Sequence, residues 1–264
     1  MIRSALMTVM TAAAQKAGRG LKRDLGEIEN LQVSVKGPGD FVSAADKRAE
    51  KVLFEELSRA RPGYGFVMEE GGTVEGTDPS HTWHIDPLDG TTNFLHGVPL
   101  FAISVALVRE DQIVAGLIFN PATDDMFVAE KGQGAFLNAS RMRVAARRKL
   151  PDALIACGIP PLGRAAHHPL FKQEFAALLA TTGGLRRLGS AALDLAYVAA
   201  GRFDGYWERN IHSWDVAAGA LMVREAGGFV STADGKDDVV GAGSILAGNE
   251  YIQREMLAAI KGAR

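Results

Sequence analysis

Cysteine occurs once, at position 157, which excludes an intrachain disulfide and a Cys-rich zinc site. Any metal would therefore rest on oxygen ligands, which favours hard cations such as magnesium. Charge of neither sign dominates. The 29 Lys and Arg against 31 Asp and Glu leave a net charge of -2, with no general pull toward nucleic acid or an anionic membrane. No stretch approaches the ~20 apolar residues that a membrane-spanning helix requires. Repeats, low-complexity tracts and disordered linkers are missing. So are a Gly-x-Ser-x-Gly or Ser-His-Asp pattern and a paired base for Cys157, which argues against a covalent intermediate. Histidines at helical His-x-x-x-His spacing are also missing, so His84, His96, His167, His168 and His212 are read as structural or supporting residues.

What is present suits a globular chain with a sizeable core: 264 residues, 47% hydrophobic and 23% charged. Arg3 followed by "SALMTVMTAAA" loosely imitates a signal peptide. The threonines dilute its apolar run, however, and Ile2, Leu6, Val9, Ala13, Leu21, Leu25 and Ile28 continue one face of an amphipathic helix over about 2–29. A cytoplasmic location is the expectation. Strands are expected near 33–36, 41–43, 65–68, 82–85, 101–108, 113–119, 126–129 and 135–137. A helix fills 44–61, where Pro62-Gly63 stops it, and "REDQ" (109–112) turns an antiparallel hairpin. After the basic connector "RMRVAARRKL", strands near 153–157, 185–188, 203–207, 228–231 and 244–247 alternate with helices near 168–181, 190–201, 214–226 and 249–261. No aromatics interleave the connector, so it reads as a solvated surface rather than a polyanion site.

Three stretches carry chemistry. In "WHIDPLDGTTNF" (83–94) a buried strand is expected to end at Pro87, with Gly90-Thr91-Thr92 opening a short helix. Asp86 and Asp89 can converge on one cleft, and Gly90 lets a ligand approach the backbone. That would set a cation site beside an anion site, as metal-assisted phosphoryl chemistry requires. A capped Asx-turn is the alternative, for which Asp89 or Thr91 alone would suffice. "VMEEGG" (67–72) likewise ends a strand in Glu69 and Glu70, two carboxylates that repel unless one turns outward or a cation lies between them. In "IHSWDVAAGALMVREAGG" (211–228), Asp215 sits in a helix's first turn, where complementing the dipole is also a sufficient reason.

Taken together, "DPLDGTTNF", "WDVAAGALMVREAGG", "DFVSAADKRAE" (40–50) and "MEEGG" resemble the inositol monophosphatase family of magnesium-dependent, lithium-sensitive phosphatases. The likeness runs from about residue 2 to 261 and is nearest in flavour to the bacterial branch with the extragenic suppressor proteins. It implies an α+β and α/β fold, a layered α-β-α-β-α sandwich of the inositol monophosphatase and fructose-1,6-bisphosphatase type. Its N-terminal α+β half would span 1–143 and its C-terminal α/β half 144–264. It also implies two or three magnesium ions on Glu69, Asp86, the backbone carbonyl of Leu88, Asp89 and Asp215, with Asp86 bridging two of them. By the same likeness, Asp46 and Thr91 orient and help deprotonate the attacking water, Glu69 serves catalysis, and the N–H groups of Gly90 and Thr91 hold phosphate oxygens. Gly189, Ser190, Ala191, Glu208 and Asp215 would meet the substrate. An ionised Glu208 suits a polyol, because it only accepts hydrogen bonds and hydroxyls donate them.

The implied reaction is hydrolysis of a small polyol phosphate, foremost myo-inositol monophosphate, by a homodimer. Histidinol phosphate, fructose-1,6-bisphosphate and 3'-phosphoadenosine 5'-phosphate are alternatives. The last two would need extra basic or aromatic groups, for which Arg186, Arg187 and Arg209 are candidates, and Asn210 could retune the pocket. A regulatory protein contacting transcription machinery, through 141–149 or surface arginines, is the alternative from another class. Two residues depart from the family pattern: Met68 where glycine is usual and Ser43 where threonine is usual.

Overall fold

The computed structural model describes residues 4–27, 33–37 and 40–263, with the backbone alone for 33–37, 40–43 and for Leu162, Arg164 and Ala165. Positions 2, 3, 28 and 29 of the expected first helix lie outside the described residues, as does the Ser43 side chain.

Helix α1 (Ala5–Leu25) starts where Ser4 accepts the Met7 N–H at 3.0 Å, and it ends where the Gly26 N–H folds back to Arg23 and Asp24. After the β1–β2 hairpin (Val33–Gly37, Asp40–Ser43) comes α2 (Ala44–Ala60). The strands β3 (Tyr64–Met68), β4 (Gly72–Val74), β5 (Asp78–Asp89), β6 (Ala102–Arg109), β7 (Gln112–Asn120), β8 (Asp125–Glu130), β9 (Gly134–Leu137) and β10 (Ser140–Arg141) form one sheet of order β10-β9-β8-β7-β6-β5-β3-β4. The short helix α3 (Thr91–Leu95) follows β5. A second sheet has the order β12-β11-β13-β15-β14, from Gly184–Arg186, Leu154–Cys157, Gly205–Arg209, Ser244–Gly248 and Phe229–Ser231. Its helices are α4 (His168–Leu179), α5 (Ala191–Ala199), α6 (Ser213–Glu225) and α7 (Glu250–Gly262). The hairpin at 109–112 holds, with Glu110 and Asp111 both at positive φ as a two-residue primed turn demands. Strands β4 and β10 were not anticipated, and the strand expected at 203–207 lies at 205–209.

The layers follow from which face each strand residue buries. Along β6, Ile103, Val105 and Leu107 pack with α1 and α2, whereas Ala102, Ala106 and Val108 pack with α5 and α6. In the second sheet, Ala156, Tyr206, Ile245 and Ala247 join that same middle core, while Ile155, Cys157, Trp207 and Leu246 face α4 and α7. The stacking is therefore α1/α2, sheet, α5/α6, sheet, α4/α7, which is the layered sandwich expected.

Strand β5 departs from expectation in an instructive way: it starts at Asp78 and does not stop at Pro87. Asp86 pairs with Ser104 and Asp89 with Ala102, so Pro87 and Leu88 together face the single residue Ile103. This is a β-bulge, and proline is tolerated there because the bulge leaves a residue without a ladder partner.

Candidate active site

In an unbroken strand, residues three apart point to opposite faces. The bulge in β5 reverses the alternation. Ile85 and Leu88 both enter the α1/α2 core, which leaves Asp86 and Asp89 together on the other face. Convergence of the two aspartates thus comes from the bulge. Opposite them, the start of α6 is pinned to the sheet. His84 Nδ1 lies 2.7 Å from Ser213 Oγ, and Ser104 Oγ donates to the Trp214 carbonyl at 2.9 Å. These contacts bring Asp215 to the pair, and carboxylate oxygens of Asp86, Asp89 and Asp215 lie within 4.8 Å of one another. Asp215 also caps its helix, accepting the His212 N–H at 2.8 Å, so the capping role and the cluster coexist.

The remaining partners fix each carboxylate. Asp86, 2% exposed, accepts the Leu88 N–H at 2.8 Å. Asp89 Oδ2 accepts from Ser190 Oγ and the Ala192 N–H, both at 2.6 Å, which ties it to the start of α5. Thr91 Oγ1 lies 3.1 Å from both Asp46 Oδ1 and the Leu88 carbonyl, and Asp46 is fully buried. Gly90 adopts φ 97, and a Cβ there would come within 3.0 Å of the Leu100 carbonyl and 3.3 Å of the Gly189 carbonyl. Asn93 joins these segments, its amide donating to Leu100 at 2.6 Å and to Leu188 at 2.7 Å.

The arrangement strains the carboxyls electrostatically. Burial, then the charges of Glu69, Asp89 and Asp215, push the Asp86 carboxyl well above the usual carboxylate range. Burial, then Asp215, push Asp89 up to about 8. Crowded, desolvated, all-oxygen donors of this kind fit a hard divalent cation, whose charge removes the repulsion. Glu69 lies outside the 4.8 Å group but lines the adjoining cavity of about 380 Å³ with Asp89 and Asp215.

Gly189, Ser190, Ala191 and Glu208 line the same cavity, whereas Asp46, Asp86, Leu88, Gly90 and Thr91 do not. Of the three candidate arginines, Arg187 reaches it. Arg186 donates to the neighbouring Leu185 carbonyl, and Arg209 is committed to Glu174 at 2.9 Å and Asp234 at 3.3 Å. Met68 is 5% exposed, packs in the α1/α2 core and leaves the cavity clear. In the basic connector, Arg147 reaches the buried Asp204 at 3.2 Å and Arg148 lies over the Tyr251 ring.

His212, read from the sequence as a structural or supporting residue, stacks on Trp214 and lines the cavity. Three other residues escaped sequence reasoning. Tyr206 donates its hydroxyl to Glu208. Gly158 is where the Glu208 carboxylate rests, since a Cβ there would fall 1.8 Å from Glu208 Cδ. Asp194 is 1% exposed and also lines the cavity. A lone acid inside the apolar run "AALDLAYVAA" was the available signal for it.

Comparison with known proteins agrees with this geometry. The model of the inositol monophosphatase family matches residues 3–263. The inositol-1-monophosphatase of Mesorhizobium japonicum is 62% identical over 261 residues, covering 99% of this chain and 98% of that one. The Nus factor SuhB of Escherichia coli is 39% identical over 253 residues, covering 96% and 94%. The crystal structure of the extragenic suppressor protein suhB from Bartonella henselae superposes with a TM-score of 0.95 at 55% identity, covering 98% and 99%. A match that spans both sheets and every acidic position described above leaves one conclusion: the chain belongs to the inositol monophosphatase family, and it is an enzyme of the phosphoric monoester hydrolase type.

Proposed function

We propose that the protein is a cytoplasmic, magnesium-dependent and lithium-sensitive phosphatase that converts myo-inositol monophosphate to inositol and phosphate. The observation that carries this reading is the group of three carboxylates within 4.8 Å beside a cavity that Glu208 also lines. Glu69, Asp86, the Leu88 carbonyl, Asp89 and Asp215 would hold two or three Mg²⁺ ions. When bound, these would acidify water and neutralise charge on the ester.

The chain's own residues supply the rest. Thr91 Oγ accepts a hydrogen bond from the attacking water and passes its own proton toward Asp46 Oδ1, which lies 3.1 Å away and is fully buried. Glu69 assists from the cavity wall. The Gly90 and Thr91 N–H groups hold the phosphate, and the missing Cβ at Gly90 lets the Leu100 and Gly189 carbonyls pack closely against this turn. Water oxygen bonds to phosphorus, the ester P–O bond breaks, and the departing alkoxide takes up a proton. Gly189, Ser190, Ala191, Asp215 and Glu208 orient the alcohol.

The same reading includes a homodimer and two halves, 1–143 and 144–264. A bisphosphate would be a weaker fit, because of the three candidate arginines Arg187 alone lines the cavity, and histidinol phosphate stays the alternative that the test below separates. Contact with transcription machinery is a separate reading, prompted by the name Nus factor SuhB borne by relatives 39% identical.

The test is phosphate release from inositol monophosphate, histidinol phosphate, fructose-1,6-bisphosphate and 3'-phosphoadenosine 5'-phosphate, with and without Mg²⁺ and Li⁺. Inositol monophosphate should turn over fastest, only with Mg²⁺, and less with Li⁺. Turnover of none of the four would sink the reading. Asp89→Asn, which removes charge and little volume, should lower kcat at least ~100-fold while the fold persists. Full activity in that variant would refute the ligand assignment.

A further inference from the structure

The cavity beside the three-carboxylate group is lined by an acid that none of the roles above uses. Asp194 lies one turn into α5, is 1% exposed and lines the cavity with Glu208 and Arg187. Its Oδ1 has no hydrogen-bond partner among the described residues. Buried polar atoms left in that state are rare, and their cost is recovered only when a donor arrives. The neighbour in that lining is Glu208, whose carboxylate rests on Gly158 and accepts the Tyr206 hydroxyl.

We propose that Asp194 is a specificity-determining residue at the alcohol end of the pocket, its Oδ1 meeting a hydroxyl of the departing polyol beside Glu208. The inference rests on the polyol phosphate reading above.

The chemistry favours a hydroxyl over an anionic or a hydrocarbon substituent. Burial, then the charges of Glu208 and Asp89, push the Asp194 carboxyl well above its usual range, while Arg187 opposes them. An ionised Asp194 needs a donor and a protonated one needs an acceptor, and a hydroxyl is both. A second phosphate or a carboxylate on the alcohol would face Glu208 and Asp194 together and be repelled. A hydrocarbon would leave Oδ1 as it is. Asp194 thus adds selection for neutral, hydroxyl-bearing leaving groups without touching the reacting phosphorus.

The test compares inositol monophosphate with phenyl phosphate, an ester with no hydroxyl at the alcohol end. In Asp194→Val, kcat/KM for inositol monophosphate should fall about tenfold, through KM, while phenyl phosphate stays within about twofold, as loss of one hydrogen bond to substrate requires. An equal change for both esters, or none for either, would overturn the proposal. Asp194→Ala serves if the Val variant folds poorly. Loss of phenyl phosphate turnover in both variants would make Asp194 a structural residue and overturn it as well. Failure of the functional reading is seen apart from this, in unmutated protein that hydrolyses phenyl phosphate but not inositol monophosphate.

Discussion

At the scale of single residues, the chain separates acids that work from a thiol that cannot. Cys157 is 1% exposed on the face of β11 that packs against α4 and α7. Burial, then the charges of Asp194 and Glu208, push its thiol up to about 12 from an ordinary value near 9.0. Because the folded value lies above the unfolded one, the thiol is protonated at neutral pH. Its contribution to stability is whole below about pH 9 and is lost as pH rises toward 12. Native protein at pH 8 should therefore react with Ellman's reagent far more slowly than denatured protein, by at least ~100-fold, at the rate of opening rather than of thiol chemistry. Native reactivity close to that of denatured protein would contradict the burial. The acids differ in how far the sequence disclosed them. Asp86, Asp89, Glu69 and Asp215 stood at strand ends and at a helix start, where an acid asks for a reason. Asp194 stood inside an apolar helix as a single letter, and only its burial against the cavity marks it out.

At the scale of elements, most strands and helices were legible because their periodicities differ: β6 and β7 as nearly unbroken apolar runs, α1 and α2 as one-sided stripes. The bulge in β5 was not legible, since Pro87 reads locally as a stop. It becomes a bulge only through pairing with Ile103, far along the chain. The order of the layers came through family resemblance, because no local pattern says which face of a doubly buried strand meets which helix. Close packing of α6 is set by small residues. A Cβ at Gly116 of β7 would come within 2.9 Å of the Ala218 Cα, and one at Gly219 within 2.4 Å of the Leu195 Cβ. Two effects oppose each other in Gly219→Ala. Helix propensity gains up to ~1 kcal/mol, while overpacking costs about 1–3 kcal/mol. At 2.4 Å between carbons the second wins, and urea unfolding should show a net loss of about 1–2 kcal/mol. Adding Leu195→Ala should return part of it as a favourable coupling of at least ~0.5 kcal/mol. Strict additivity in that cycle would show that the two positions do not press on each other.

At the scale of the whole molecule, a net charge of -2 conceals a concentrated negative site. Asp86 and Asp89 belong to β5 of the eight-stranded sheet, Asp215 and Asp194 to α6 and α5 of the middle layer, and Glu208 to β13 beyond it. The cavity lies where these layers meet, so a cation held by the first three joins the large sheet to the middle helices. Unfolding separates those carboxylates and destroys the site, so a cation held there would bind the folded chain alone. Stability should rise by RT ln(1 + [L]/Kd), about 2.7 kcal/mol at one hundred times Kd. For a chain of this size that corresponds to a rise in Tm of about 5–10 °C when Mg²⁺ is added to chelator-treated protein. Asp89→Asn should behave in two opposite ways. Without Mg²⁺ it should melt higher than the parent, because one of three mutually repelling acids is gone. With Mg²⁺ it should gain little, because a ligand is gone. Differential scanning calorimetry on both proteins reads all four states. A parent Tm indifferent to Mg²⁺, or a variant that gains as much from it, would show that these three carboxylates do not hold the ion.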